Sequence, residues 1–168
     1  MFEWHDGQRI AHIEAVEIFD LTDLTDPGLK TAFDYWNEVR RSSVAPPIRD
    51  FRLERLPMDI LPSTAVVDFL GPPFDFRYRF FGTQMVEIAG QELTGKRYLA
   101  DEIKGFGFVN AEVLPVMVER RTPVYSGTRW VSVKGLMFKT ITVRLPLSED
   151  GDAITGAVVI DRFAPDRD

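Results

Sequence analysis

Near the N-terminus, Leu29, Ala32, Phe33, Trp36 and Val39 recur at helical spacing, with Lys30, Asp34, Asn37, Glu38 and Arg41 on the other side. This stripe predicts an amphipathic helix over residues 27–42. Asp26 suits the N-cap, and Pro27 suits the first helical position, where a missing N–H costs nothing. Ser42, Ser43, Pro46 and Pro47 end the helix. Upstream, HIEAVEIFDLTD (12–23) fits a strand about as well as a short helix. Residues 1–26 are therefore read as an N-terminal arm outside the core.

Residues 48–62, IRDFRLERLPMDILP, read as a helical turn or two punctuated by Pro57 and Pro62. The period then switches to two. TAVVDFL (64–70) and DFRYRFF (75–81) predict a hairpin around the turn residues GPPF. With Leu70 facing Asp75, the residues Ala65, Val67 and Phe69 lie opposite Phe80, Tyr78 and Phe76 on one face. Asp68 falls opposite Arg77 on the other, an opposite-charge pair worth about 0.2–1 kcal/mol. GTQMVEIAG (82–90) reads as a short helix ending at Gly90, and Gly95 marks a turn in QELTGKR. YLADEI (98–103) reads as a further helical turn. GFGFVNAEVLPVMVERR (105–121) reads as a longer helix that Pro115 kinks or restarts.

Three strands follow: TPVYSGTRWVSV, LMFKTITVRLPL and AITGAVVID. In the second, Ile141, Val143 and Leu145 alternate with Thr140, Thr142 and Arg144. The continuous apolar run Ala157–Ile160 suits a strand buried in mid-sheet. Two strands, then helices, then three strands is an α+β plan. A single domain over 27–163, including the flanking helix, and a tail over 164–168 account for the chain.

The length of 168 residues fits one domain at about 100–200 residues each. A net charge of −6 argues against nucleic-acid binding, which needs clustered Lys and Arg. Cysteine is absent, which removes disulfides, thiolate metal sites and Cys nucleophiles, and fits a cytoplasmic location. The charged N-terminus MFEWHDGQRI has no apolar signal core. Uncharged runs such as LPSTAVV fall far below the roughly 18 residues of a membrane span.

Candidate chemistry is sparse. His5 and His12, with Asp6, lack a ligand spacing and read as surface groups, so no metal is expected. No serine lies in a G-x-S-x-G elbow, and no core histidine stands ready as a base. Asp101, Glu102 and Asp161 fall at the ends of expected elements. Asp68 with Tyr78 would suit proton abstraction, but the two fall on opposite hairpin faces, so Asp68 is assigned to Arg77 or Arg79. GFGF (105–108) is not a phosphate loop. No enzymatic activity is expected.

A ligand pocket is placed between the inward hairpin residues, among them Phe76 and Tyr78, and Val109, Val113 and Met117 of the longer helix. Its polar handles are the Tyr78 hydroxyl, Thr83, Ser126 and Thr128, with Trp130 on the same strand face. An apolar pocket with few polar groups is what small-ligand sites look like. The competing reading is that the thirteen Phe side chains fill the space. Leu29, Phe33 and Trp36 are too large to leave exposed, so their stripe either covers the outer sheet face or mediates self-association.

YWNEVR (35–40), IRDFRLERLPMDILP and DFRYRFFGTQMVEIAGQELTGKR (75–97) together resemble a bacterial subfamily of PAS domains, usually small one-domain proteins. Gly82-Thr83 stands where many PAS domains have Asn-Pro, Gly90 where the helix ends, and Gly95-Lys96 at the later turn. The resemblance covers residues 29–163. It implies a five-stranded antiparallel sheet of order 2-1-5-4-3 with helices on one face. The implied role is a stand-alone sensory or regulatory domain in signal transduction, acting through a small apolar ligand, a signalling partner or a homodimer. The chain departs from the cofactor-bearing types. It lacks the Cys of flavin-adduct and coumaroyl photosensors, and it lacks the His by which haem types ligate, so no cofactor is expected. The alternatives are a ligand-binding protein or enzyme on a cone-shaped α+β fold of the nuclear transport factor type, and a purely structural dimer module.

Overall fold

The computed structural model describes residues 3–5, 8–71, 75–90, 92–98 and 106–165. Strands β1 (Glu3–His5) and β2 (Gln8–Ile10) form a small hairpin. Then follow β3 (His12–Phe19), α1 (Pro27–Arg40), β4 (Thr64–Gly71), β5 (Asp75–Phe81), α2 (Thr83–Ala89) and β6 (Arg97–Tyr98). The chain continues with α3 (Phe106–Arg120), β7 (Val124–Val131), β8 (Met137–Leu147) and β9 (Gly156–Pro165). The fold is α+β. Its sheet is antiparallel throughout, in the order β3-β7-β8-β9-β4-β5-β6. The expected turn at 72–74 and most of the helical turn at 98–103 lie outside the described residues.

Several expectations change. The sheet has seven strands, not five, because β6 extends one side and β3 the other. The segment expected as an arm outside the core is thus a structural strand. Its pairing with β7 slips between Ile13 and Ala15, and this bulge breaks the alternation that would have marked a strand. Gly127 makes the contact possible: a Cβ there would lie 2.5 Å from the Phe19 ring, which instead packs beside Tyr125. At the other end, β9 runs through Pro165 and takes up the start of the expected tail.

Helix α1 begins as its caps dictate, with the Leu29 N–H donating to Asp26 Oδ1 at 3.0 Å and Pro27 in the first turn. Leu29, Ala32 and Trp36 are buried against Val66, Val143, Leu145, Val158 and Ile160, together with Ala45, Phe51, Leu56 and Ile60 from the following segment. Trp36 Nε1–H donates to the Pro146 carbonyl at 2.7 Å. The N-terminus of α1 is tied down by Arg162, which donates to Asp26 at 3.2 Å and to Asp59 at 2.7 Å. This outer face is therefore covered by the chain itself. Helices lie on both faces rather than one, since α2 and α3 pack on the opposite, inner face. Helix α3 is one continuous element with Pro115 inside it, so of the expected kink or restart there is no restart.

The expected hairpin register holds for Phe69 with Phe76, Asp68 with Arg77, and Val67 with Tyr78. It then shifts, so that Val66 faces Phe80 and Ala65 faces Phe81. One extra residue, Arg79, turns Phe80 to the outer face and brings Phe81 inward.

Trp36 fills the outer core and satisfies its indole N–H there, whereas Phe33 is only half-buried. Trp36→Ala should lower the unfolding free energy by about 3–5 kcal/mol in urea titrations, and Phe33→Ala by clearly less. Equal losses would refute this account of the outer face.

Candidate functional site

Cross-strand pairing sets which side chains share the inner face. Val124, Arg144, Val159 and Ala65 form one row, and Ser126, Thr142 and Asp161 the next. Thr128, Thr140 and Phe163 form a third, and Trp130 with Phe138 lies beyond. A polar stripe thus runs along the middle of an otherwise apolar layer. It is buried: Ser126, Thr128, Thr140, Thr142, Arg144 and Asp161 are each at most 9% exposed.

Arg144 is the centre of the stripe. Its Nε–H and one Nη–H donate to Asn110 Oδ1 at 3.0 and 2.9 Å, and its other Nη donates to Ser126 Oγ at 2.9 Å. Asn110, on α3, turns its amide nitrogen toward the Tyr78 hydroxyl at 3.4 Å. The helix, β5, β7 and β8 therefore meet in one hydrogen-bonded group. Tyr78 is held by Phe76 and Phe81 at edge-on angles, with ring centroids 5.5 and 4.9 Å away. Its backbone is also fixed, because Gly95 N–H donates to the Tyr78 carbonyl at 2.6 Å and the Tyr78 N–H to the Lys96 carbonyl at 3.1 Å. Gly95 has φ +82°, which is why a glycine stands in that turn.

Asp161 accepts a short hydrogen bond from Thr142 Oγ1. Burial raises its carboxyl to a pKa of about 6, against the opposing pull of the Thr142 hydroxyl and the Arg144 charge. Burial likewise lowers the Arg144 guanidinium to about 10, so it stays protonated at neutral pH. No carboxylate contacts this guanidinium among the described residues.

The sequence-predicted residues divide. Phe76, Tyr78, Val113 and Met117 are buried together on the inner face. Thr128 and Trp130 are buried on β7 farther along the same face. Trp130 stacks on Phe138 at 4.8 Å and donates to Thr140 Oγ1 at 2.8 Å. Thr83 is exposed at the start of α2, so it is not a polar handle of this layer. Leu29 and Trp36 are buried against the chain's own sheet, which removes them from any stripe open to a second copy. Asp68 is bound by Arg79 Nε at 3.0 and 3.1 Å, with Arg77 3.7 Å away. Among the described residues, no group of three or more His, Asp or Glu could hold a metal, and no helix is long and apolar enough to cross a membrane.

Sequence reasoning missed Arg144, Asn110 and the burial of Asp161. The signal was present: Thr140, Thr142 and Arg144 share a strand face with Ser126 and Thr128 of its neighbour. Asn110 is the lone uncharged polar side chain between Phe106 and Met117.

No family model, curated protein or solved structure gives a significant match to this chain.

The raised Asp161 pKa has a consequence for stability. The folded state keeps the proton that the unfolded chain releases near pH 4, so the stabilisation from this group is full below pH 4 and is lost as pH rises toward 6. Asp161→Asn should lack that decline, so the difference between variant and parent stability should change by on the order of a few kcal/mol between pH 4 and pH 7. Parallel pH profiles would contradict it.

Proposed function

We propose that the chain is a PAS-like sensory or regulatory domain. It binds a small ligand on the inner face beneath α3 and passes the occupied state to a partner protein. The observation that carries the ligand reading is the buried polar stripe around Arg144, set within apolar surroundings as small-molecule sites are. The topology supports the PAS-like part. Counting only β4, β5, β7, β8 and β9, the strands lie in the order 2-1-5-4-3, with α2 and α3 between the second and third. That position of the helices disfavours the cone-shaped alternative, which carries its main helices before the strands. Fold does not fix function, so the site carries the argument. Action in the cytoplasm on a signalling partner belongs to the same reading.

A thermal-shift panel of small apolar compounds, neutral and ionised, tests it. A binder at a hundred times its Kd stabilises by about 2.7 kcal/mol, or roughly 5–10 °C in Tm for a chain this size. Substitution of Asn110 by Leu should abolish the shift while the chain still unfolds cooperatively. A panel without a single shift would refute the reading.

A further inference from the structure

The feature that packing alone leaves over is the donor capacity of Arg144. A guanidinium carries five N–H groups in a fixed fork. Three are used, all on neutral acceptors, Asn110 Oδ1 and Ser126 Oγ. Two Nη–H groups remain, on a side chain only 3% exposed. A buried charge of this kind is costly unless it is paired and its hydrogen bonds are completed. The nearest candidate, Asp161, lies on the next strand two residues from Val159, the cross-strand partner of Arg144. Its hydrogen bond goes instead to Thr142.

We propose that this site takes a monocarboxylate with an apolar body, its carboxylate seated on the two spare Nη–H groups of Arg144. The inference rests on the ligand-binding reading above and names the chemical class. A planar carboxylate fits the guanidinium fork, and charge-assisted bonds of this type are about twice as strong as neutral ones. A phosphate dianion would need more than this one cation, and Arg144 is the one basic residue among the described residues that is buried as a whole. An apolar body is demanded by the surroundings, where Phe76, Val113 and Met117 offer no polar atom. Asn110 and Ser126 act as positioning residues, because they hold the guanidinium in one orientation.

Calorimetric titration of the full chain with three compounds of one chain length tests the inference: octanoate, octan-1-ol and octylamine. Octanoate should bind at least about tenfold more tightly than the alcohol, and the amine least. Arg144→Met, of similar volume and without the charge, should erase the difference between acid and alcohol. If that variant fails to fold, the ranking of the three compounds on the parent protein decides by itself. Equal binding of acid and alcohol, or a preference that survives in Arg144→Met, overturns the carboxylate assignment and leaves a ligand-binding domain standing. Binding of none of these compounds, nor of their shorter and longer homologues, overturns both.

Discussion

The run Ala157–Ile160 at the centre of the sheet is buried on both sides, at 4% exposure or less. Everything else is arranged around that constraint. An apolar strand of this kind cannot lie in a sheet with a wet face, so both faces must be roofed. Helix α1 and the segment through Ile60 cover the outer face, and α2 and α3 the inner one. Arg162, at the end of the same strand, then fixes the start of α1 through Asp26. One strand thus sets the core of both layers and the anchor of the outer one.

The same double cover makes the inner polar stripe consequential. On a half-exposed antiparallel sheet, Thr140, Thr142 and Arg144 would face water, and their alternation with Ile141, Val143 and Leu145 would mean nothing more. Beneath α3 they are desolvated. Removing a guanidinium from water costs several kcal/mol even after relaxation, and bonds to Asn110 and Ser126 offset only part of it. Hydrophobic residues of similar volume would pack there at less cost. A charge kept in that position lowers the stability of the fold.

How far the fold was legible follows from where local pattern and tertiary setting agree. Helix α1 was readable because its cap, its proline and its stripe point the same way. So were the central strand β9 and the outer half of the β4–β5 hairpin. The misreadings cluster at two bulges. The slip after Ile13 hid β3, and the extra Arg79 sent Phe80 to the wrong face, because a one-residue slip exchanges the faces of a strand. The site was half legible. Its apolar walls, Tyr78, Val113 and Met117, follow from periodicity, whereas Arg144 stands in the sequence only as one polar position of an alternating strand, and its burial depends on the roof that α3 forms above it. Thr83 failed for the opposite reason: its place after a strand said nothing of its exposure.

The strand that joins the sheet at its far side has a further effect on how the molecule behaves in company. Beyond β3 the sheet stops, and an unpaired strand margin is a template on which another chain can add. Along this margin Glu14 and Glu17 are exposed, and the irregularity after Ile13 interrupts a flat backbone ladder. A second copy approaching edge to edge would bring carboxylate toward carboxylate across a kinked strand. At the opposite margin β6 contributes two residues among those described. At the β3 margin, continuous sheet growth is thereby discouraged.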